Sequence, residues 1–160
     1  MTTLSFFHVK LLNLDSLLVL GASKVVSPQA EDYLKCIYLL KERGENVKNS
    51  SIAAYLGVSP ATVTEMMQKL SKEGFIKYVP YKGVDLTKKG FNVAQKLIWK
   101  HRIIECFLRD VLGYEDMAKI HFEACKLEHS ASDEFVEKLC GILNNPKVCP
   151  HGREIPKIRE

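Results

Sequence analysis

Apolar residues recur at helical spacing along most of this chain, and the rhythm changes to alternation at one hairpin. Ser27-Pro28 reads as a helix start, with proline at the first helical position. The helix it opens runs to about Arg43 with Tyr33, Ile37, Tyr38 and Leu40 on its apolar side, and Gly44 ends it. A second helix is expected from about Ser50 to Leu56. The turn Gly57-Val58-Ser59 follows, and Pro60 opens a third helix that stops before Gly74. Ala53, Leu56, Val63, Met67 and Leu70 are the buried positions of this pair. Helix, short glycine-containing turn, helix is the helix-turn-helix pattern.

Phe75-Ile-Lys-Tyr-Val79 then alternates as a strand, Pro80 to Gly83 turns, and Val84-Asp-Leu86 returns, a two-stranded wing. Thr87 caps a long helix from about Lys88 to Leu112, stopped by Gly113. Further helices are expected from about Glu115 to His129 and from Ser132 to Leu143, before an irregular tail with three prolines. The fold class expected is mostly α: an N-terminal winged helix-turn-helix followed by an all-helical domain. The expected division is an extension over 1–26, a winged-helix domain over 27–96 and a second domain over 97–160. Residues 11–22 are apolar but interrupted by Asn13 and Asp15, and too short to span a bilayer.

Charge sharpens this division. The net charge is only +4, yet residues 61–102 hold nine Lys and Arg against three acidic residues, whereas residues 103–160 are net negative. A basic middle points to a polyanion partner for that part alone. Ser59, Ala61, Thr62, Thr64 and Glu65 would present short side chains to base edges or phosphates at the start of the third helix. Lys69, Lys72, Tyr81 and Lys82 suit the phosphate backbone. Five cysteines without a CxxC pair fit a reducing cytoplasm rather than a disulfide scaffold.

Between His101 and His129 lie six metal-capable side chains. His101 and Glu105 interrupt the stripe Ala94, Leu97, Ile98, Ile104, Leu108, Leu112. His121, Cys125, Glu128 and His129 fall within about 100° of arc if the next helix keeps its phase, flanked by Met117, Ala118, Ala124, Phe135 and Val136. A buried carboxylate is unfavourable unless paired or metal-bound, and two such clusters on neighbouring helices point to metal. Any one of these residues alone would read as an ordinary core histidine or cysteine. His8 and His151 have no such neighbours and read as incidental. Cys36, Cys106 and Cys140 read as core.

With these motifs in view, the chain resembles the iron- and manganese-dependent repressors of the diphtheria toxin repressor type. The likeness runs from about Ser27 to Ile158. It is carried by Glu31-Asp-Tyr-Leu-Lys-Cys-Ile-Tyr38, the winged helix, Lys100-His-Arg-Ile-Ile-Glu105, and the runs His121–His129 and Cys149–Pro156. The resemblance implies a homodimer on a palindromic operator and two metal sites per subunit. Asp32, Cys125, Glu128 and His129 would form a regulatory site, and His101, Glu105 and His121 a second. The ion implied is Mn²⁺, favoured by Asp32, or Fe²⁺, favoured by the Cys125 thiolate. Manganese sensors of this type with a binuclear site tend to carry Glu where this chain has Lys35, which a protonated lysine cannot replace. Long members add an SH3-like domain that donates ligands to the second site. This chain ends at Glu160, so water or another residue is expected to complete that shell. Two other readings compete: a metal-blind winged-helix regulator, and a metallohydrolase, against which the chain lacks HExxH.

Overall fold

Side-chain caps open five of the helices. In the computed structural model, which describes residues 26–79 and 82–158, helix α1 spans Pro28–Glu42, α2 Asn49–Leu56, α3 Pro60–Lys72, α4 Lys88–Asp110, α5 Met117–Leu127 and α6 Asp133–Ile142. Ser27 Oγ accepts from Ala30 N at 3.3 Å and Ser59 Oγ from Thr62 N at 3.1 Å. Thr87 Oγ1 accepts from Gly90 N at 3.2 Å, Asp116 Oδ1 from Ala118 N at 2.9 Å and Ser132 Oγ from Phe135 N at 3.1 Å. Each such cap contributes about 1 kcal/mol. Gly57 takes a left-handed φ of 66° at the end of α2, which lets the chain turn directly into α3.

Strands β1 (Ile76–Val79) and β2 (Gly83–Leu86) pair antiparallel, with Ile76 opposite Leu86 and Val79 opposite Gly83. Val84 N donates to Val47 O at 3.1 Å, fastening the wing to the α1–α2 connection. The expected winged helix-turn-helix and its helical companion are therefore present. The expected extension over 1–26 lies outside the described residues apart from Val26, as does Tyr81. Among the described residues no helix is long and apolar enough to cross a membrane.

Two cores form. Leu34, Ile37, Ile52, Val63, Met67, Leu70, Phe75 and Ala94 belong to the first, beneath the winged helix. Trp99, Ile103, Ile104, Leu108, Ile120, Ala124, Val136 and Leu139 belong to the second. Helix α4 enters both: Ala94 packs in the first core, and residues from Trp99 onward pack in the second. Gly90 brings its start against the first core, because a Cβ there would lie 2.0 Å from Phe75 O.

Three expectations about the second half need correction. Helix α4 ends at Asp110, and Leu112 is exposed beyond it. Helix α5 begins at Met117, where Asp116 caps it, and ends at Leu127. The helical phase does not continue to Phe135 and Val136: Ser130 N and Ala131 N both bond Leu127 O, and Ser132 starts a new helix on which Phe135 is exposed. Of the cysteines expected in the core, Cys36 and Cys106 are buried, whereas Cys140 is half-buried.

Candidate metal centre and nucleic-acid interface

One helical turn apart on α4, His101 and Glu105 share a face and are both buried, with His101 Nε2 2.9 Å from Glu105 Oε1. From α5, His121 Nδ1 approaches His101 Nε2 to 3.1 Å and Glu105 Oε1 to 3.2 Å. The three residues of the expected second site thus lie together. Cys125, four residues after His121, follows it on the same face, its Sγ 3.7 Å from His121 Nε2 and 4.0 Å from His101 Nδ1.

Cys125, expected with Asp32, Glu128 and His129, stands between the two groups: His101 Nδ1, its neighbour at 4.0 Å, is also 2.6 Å from Glu128 Oε2. Glu128 caps α5 in helical conformation, with φ −57° and ψ −37°, and so keeps the face of Cys125, while His129 follows it toward α1. His129 Nε2 is 3.1 Å from Asp32 Oδ1 and its Nδ1 is 2.7 Å from Glu31 Oε2. Glu128 Oε1 lies 3.6 Å from His129 Nε2. Glu31 was not among the residues expected at the site. Its place three positions after the proline that opens α1 offered a signal only once α1 was known to meet the end of α5.

His151 is also at the centre, against expectation. Its Nδ1 stands 3.1 Å from Glu105 Oε1, and its ring is 5.8 Å from that of His121. The tail folds back to bring it there: Cys149 N donates to Arg153 O at 2.9 Å, Ile155 N to Lys147 O at 2.8 Å, and the Arg102 guanidinium to Glu154 O. The Cys-Pro-His run was visible in the sequence, but no local pattern tied it to Glu105.

Buried Glu128 is shared between two cations. Its Oε2 is 2.6 Å from His101 Nδ1, and Lys35 Nζ lies 2.7 and 2.8 Å from its two oxygens. The protonation balance of the cluster follows. Burial disfavours the charged His101, but its hydrogen bonds to Cys125, Glu105 and Glu128 outweigh this and raise its pKa to about 10. His121 is raised to about 9, chiefly by Cys125 and then Glu105. Burial opposes ionisation of Cys125, yet hydrogen bonds from His101 and His121 lower it to about 6. Glu105 and Glu128 are likewise disfavoured by burial and held ionised, first of all by His101.

Donor chemistry tests whether a divalent ion fits. Three groups offer ligand atoms within 4.8 Å of one another: His101, His121 and Cys125; Glu105, Cys149 and His151; and Asp32, Glu128 and His129. Imidazole, thiolate and carboxylate are the donors first-row divalent ions take. Here His101, Glu105, Cys149 and Glu128 are buried while His121 and His151 are exposed, and a bound ion would replace the hydrogen bonds among the donors with loss of protons. The residues fit the group.

At the other end, α3 exposes Ser59, Ala61, Thr62, Glu65, Lys69 and Lys72, and the wing exposes Lys82. Thr64 is half-buried: it donates to Pro60 O at 2.9 Å and accepts from Asn49 Nδ2 at 3.0 Å. Asn49 Nδ2 also donates to the Tyr78 hydroxyl at 3.1 Å, so this group ties α2, α3 and the wing together.

Known proteins share both halves. Residues 26–84 match the profile of the iron dependent repressor N-terminal DNA binding domain. Residues 87–157 match that of the iron dependent repressor metal binding and dimerisation domain. The HTH-type transcriptional regulator MJ0568 of Methanocaldococcus jannaschii is 43% identical over 115 residues, which are 71% of this chain and 91% of that protein. The iron-dependent repressor IdeR of Mycobacterium tuberculosis is 35% identical over 130 residues, 81% of this chain but 56% of its own. The solved structure of the manganese regulator SloR superposes with a TM-score of 0.71 at 49% identity, over 82% of this chain and 60% of SloR. With a DNA-binding half and a metal-binding half both matched, the chain belongs to the iron-dependent repressor family.

Proposed function

We propose that this protein is a Mn²⁺- or Fe²⁺-activated cytoplasmic repressor of metal-uptake genes, binding a palindromic operator as a homodimer. One observation carries the reading. Asp32, on the helix that packs beneath the DNA-reading unit, meets His129 at 3.1 Å and so shares a ligand cluster with the second core. Asp32, Glu128 and His129 would hold the regulatory ion, with Cys125 at its flank. His101, Glu105 and His121, joined by His151, would hold a second. Asp32 from α1 and Glu128 and His129 from the end of α5 would be tied together through such an ion, which would narrow the angles at which α3 can be presented. Ser59, Ala61, Thr62 and Glu65 then meet base edges and phosphates, while Lys69, Lys72 and Lys82 set salt-dependent affinity. The clusters serve binding rather than catalysis.

Exposed Phe122, Phe135, Ile142 and Leu112 favour the dimer, since large apolar side chains in such density on one half suit a partner surface. Mn²⁺ and Fe²⁺ are both retained: IdeR is an iron-dependent repressor and SloR a manganese regulator, and Asp32 and Cys125 pull toward different ions. The test selects duplexes from a random DNA pool in the presence of Mn²⁺ and measures their binding with Mn²⁺, Fe²⁺, Zn²⁺ or chelator at fixed ionic strength. Binding that needs Mn²⁺ or Fe²⁺, and that Asp32→Ala or Glu128→Ala abolishes, is expected. Equal binding in chelator sinks the reading.

A further inference from the structure

Lys35 is a buried lysine that a ligand cluster does not need. It leaves α1 one turn after Asp32, and its ammonium contacts both oxygens of Glu128, at 2.7 and 2.8 Å, and His101 Nδ1 at 3.2 Å. Glu128 is 1% exposed and Lys35 8%. These are atoms that a divalent ion at either neighbouring cluster would use. An ammonium on both oxygens competes with any further cation for the carboxylate's charge and lone pairs.

We propose that Lys35 is a built-in competitor of the metal ion: its ammonium holds Glu128, and ion binding by Asp32, Glu128 and His129 is an exchange that releases Lys35. This rests on the metal-sensor reading above and adds to it what sets the threshold. The released side chain has somewhere to go. Lys35 already borders a solvent-open cleft of about 310 Å³ that Glu42 and Glu105 also line, with Tyr55 and Arg102. Through that cleft the ammonium can reach solvent. Without ion, Lys35 keeps buried Glu128 compensated, so the cluster is stable before it is loaded. The exchange lowers affinity, and the protein responds only when free ion is abundant.

Two measurements test this. Calorimetry with Mn²⁺ compares wild type with Lys35→Met, which keeps an unbranched apolar stem and removes the charge. Binding tighter by about tenfold or more is expected for Lys35→Met. Equal or weaker binding in a folded Lys35→Met overturns the exchange while leaving the sensor reading intact. Absence of Mn²⁺ binding in both proteins overturns both. The second measurement needs no variant: acylation of Lys35 in wild type by an amine-reactive ester, read by mass spectrometry against half-exposed Lys41 as internal reference. A several-fold rise in Lys35 labelling on adding Mn²⁺ is expected. Labelling unchanged by bound Mn²⁺ overturns the proposal.

Discussion

Arg102 on α4 grips the carboxylate of Glu42 on α1, with Nη2 2.9 Å from Oε2 and Nη1 3.3 Å from Oε1. The guanidinium is buried and also donates to Glu154 O, so it joins the DNA-reading unit, the central helix and the tail without any metal. Removing one partner of a buried pair is destabilising by about 3–5 kcal/mol, and the partial exposure of Glu42 moderates this. Arg102→Ala is therefore expected to lower unfolding free energy by about 2–3 kcal/mol. Urea denaturation in chelator measures it, and a loss that appears only in the presence of Mn²⁺ would contradict the assignment.

Gly90→Ala is expected to destabilise. Alanine improves helix propensity by about 1 kcal/mol, but its Cβ would lie 2.0 Å from Phe75 O, a backbone atom that cannot step aside. The overpacking outweighs propensity by about 2 kcal/mol net. Thermal unfolding of the variant gives the sign directly.

Removing His151 is expected to weaken the second metal position selectively. Its Nδ1 contacts Glu105, whereas Asp32, Glu128 and His129 make no use of it. His151→Ala should weaken one class of Mn²⁺ sites by about tenfold or more, in the range seen when a supporting ligand is lost. Titration calorimetry resolving two classes checks this, and an equal effect on both would count against two separable positions.

On the DNA side, Lys69→Ala and Lys82→Ala should each weaken binding uniformly across sequences and reduce the salt slope by about 0.9 per phosphate contact. Thr64→Val should instead lower stability, because its hydroxyl is spent on Pro60 O and Asn49. Binding isotherms at several salt concentrations separate the two effects.

Asp133 supplies a pH test away from the metal ligands. It pairs with Lys96 at 2.6 Å and Lys100 at 2.8 Å, joining α6 to α4. Burial would raise its pKa, but the hydrogen bonds from Lys100 and then Lys96 hold it below the usual carboxylate range. A depressed folded pKa contributes stability that is present above the unfolded value and lost as pH falls through the folded one. Since the pair is partly exposed and screened, the contribution is under about 1 kcal/mol. Asp133→Asn should be less stable than wild type at pH 6, and the gap should close as pH falls below the ordinary Asp value of about 3.9.

The winged helix was legible in the sequence because its signals are local: Ser59-Pro60 before α3, Gly57 after α2, and alternation at Phe75–Val79. His101 with Glu105 was legible for the same reason, as one turn of one helix. Helical phase also put Cys125 and Glu128 on one face, and Glu128 is still helical where it caps α5. The partners these side chains meet on α1 and α4 were not legible. Lys35 and Glu128 are 93 positions apart, so no periodicity could pair them. The same holds for His151, which reaches Glu105 only because the tail folds back over α4.

Because α4 runs through both cores for 23 residues, it is a lever roughly 35 Å long at the helical rise per residue. Its start is jammed against Phe75 by Gly90, so the winged unit follows the lever arm rather than damping it. A tilt of roughly 5° at Glu105, roughly 25 Å from Lys88 along α4, moves the start of the helix by roughly 2 Å. Dimeric helix-turn-helix proteins read half-sites one helical turn apart, about 34 Å, and on such an operator a 2 Å error per subunit would be roughly the H···O length of a hydrogen bond. On the proposed reading, small angular freedom near His101 and Glu105 would be amplified into loss of register at the DNA.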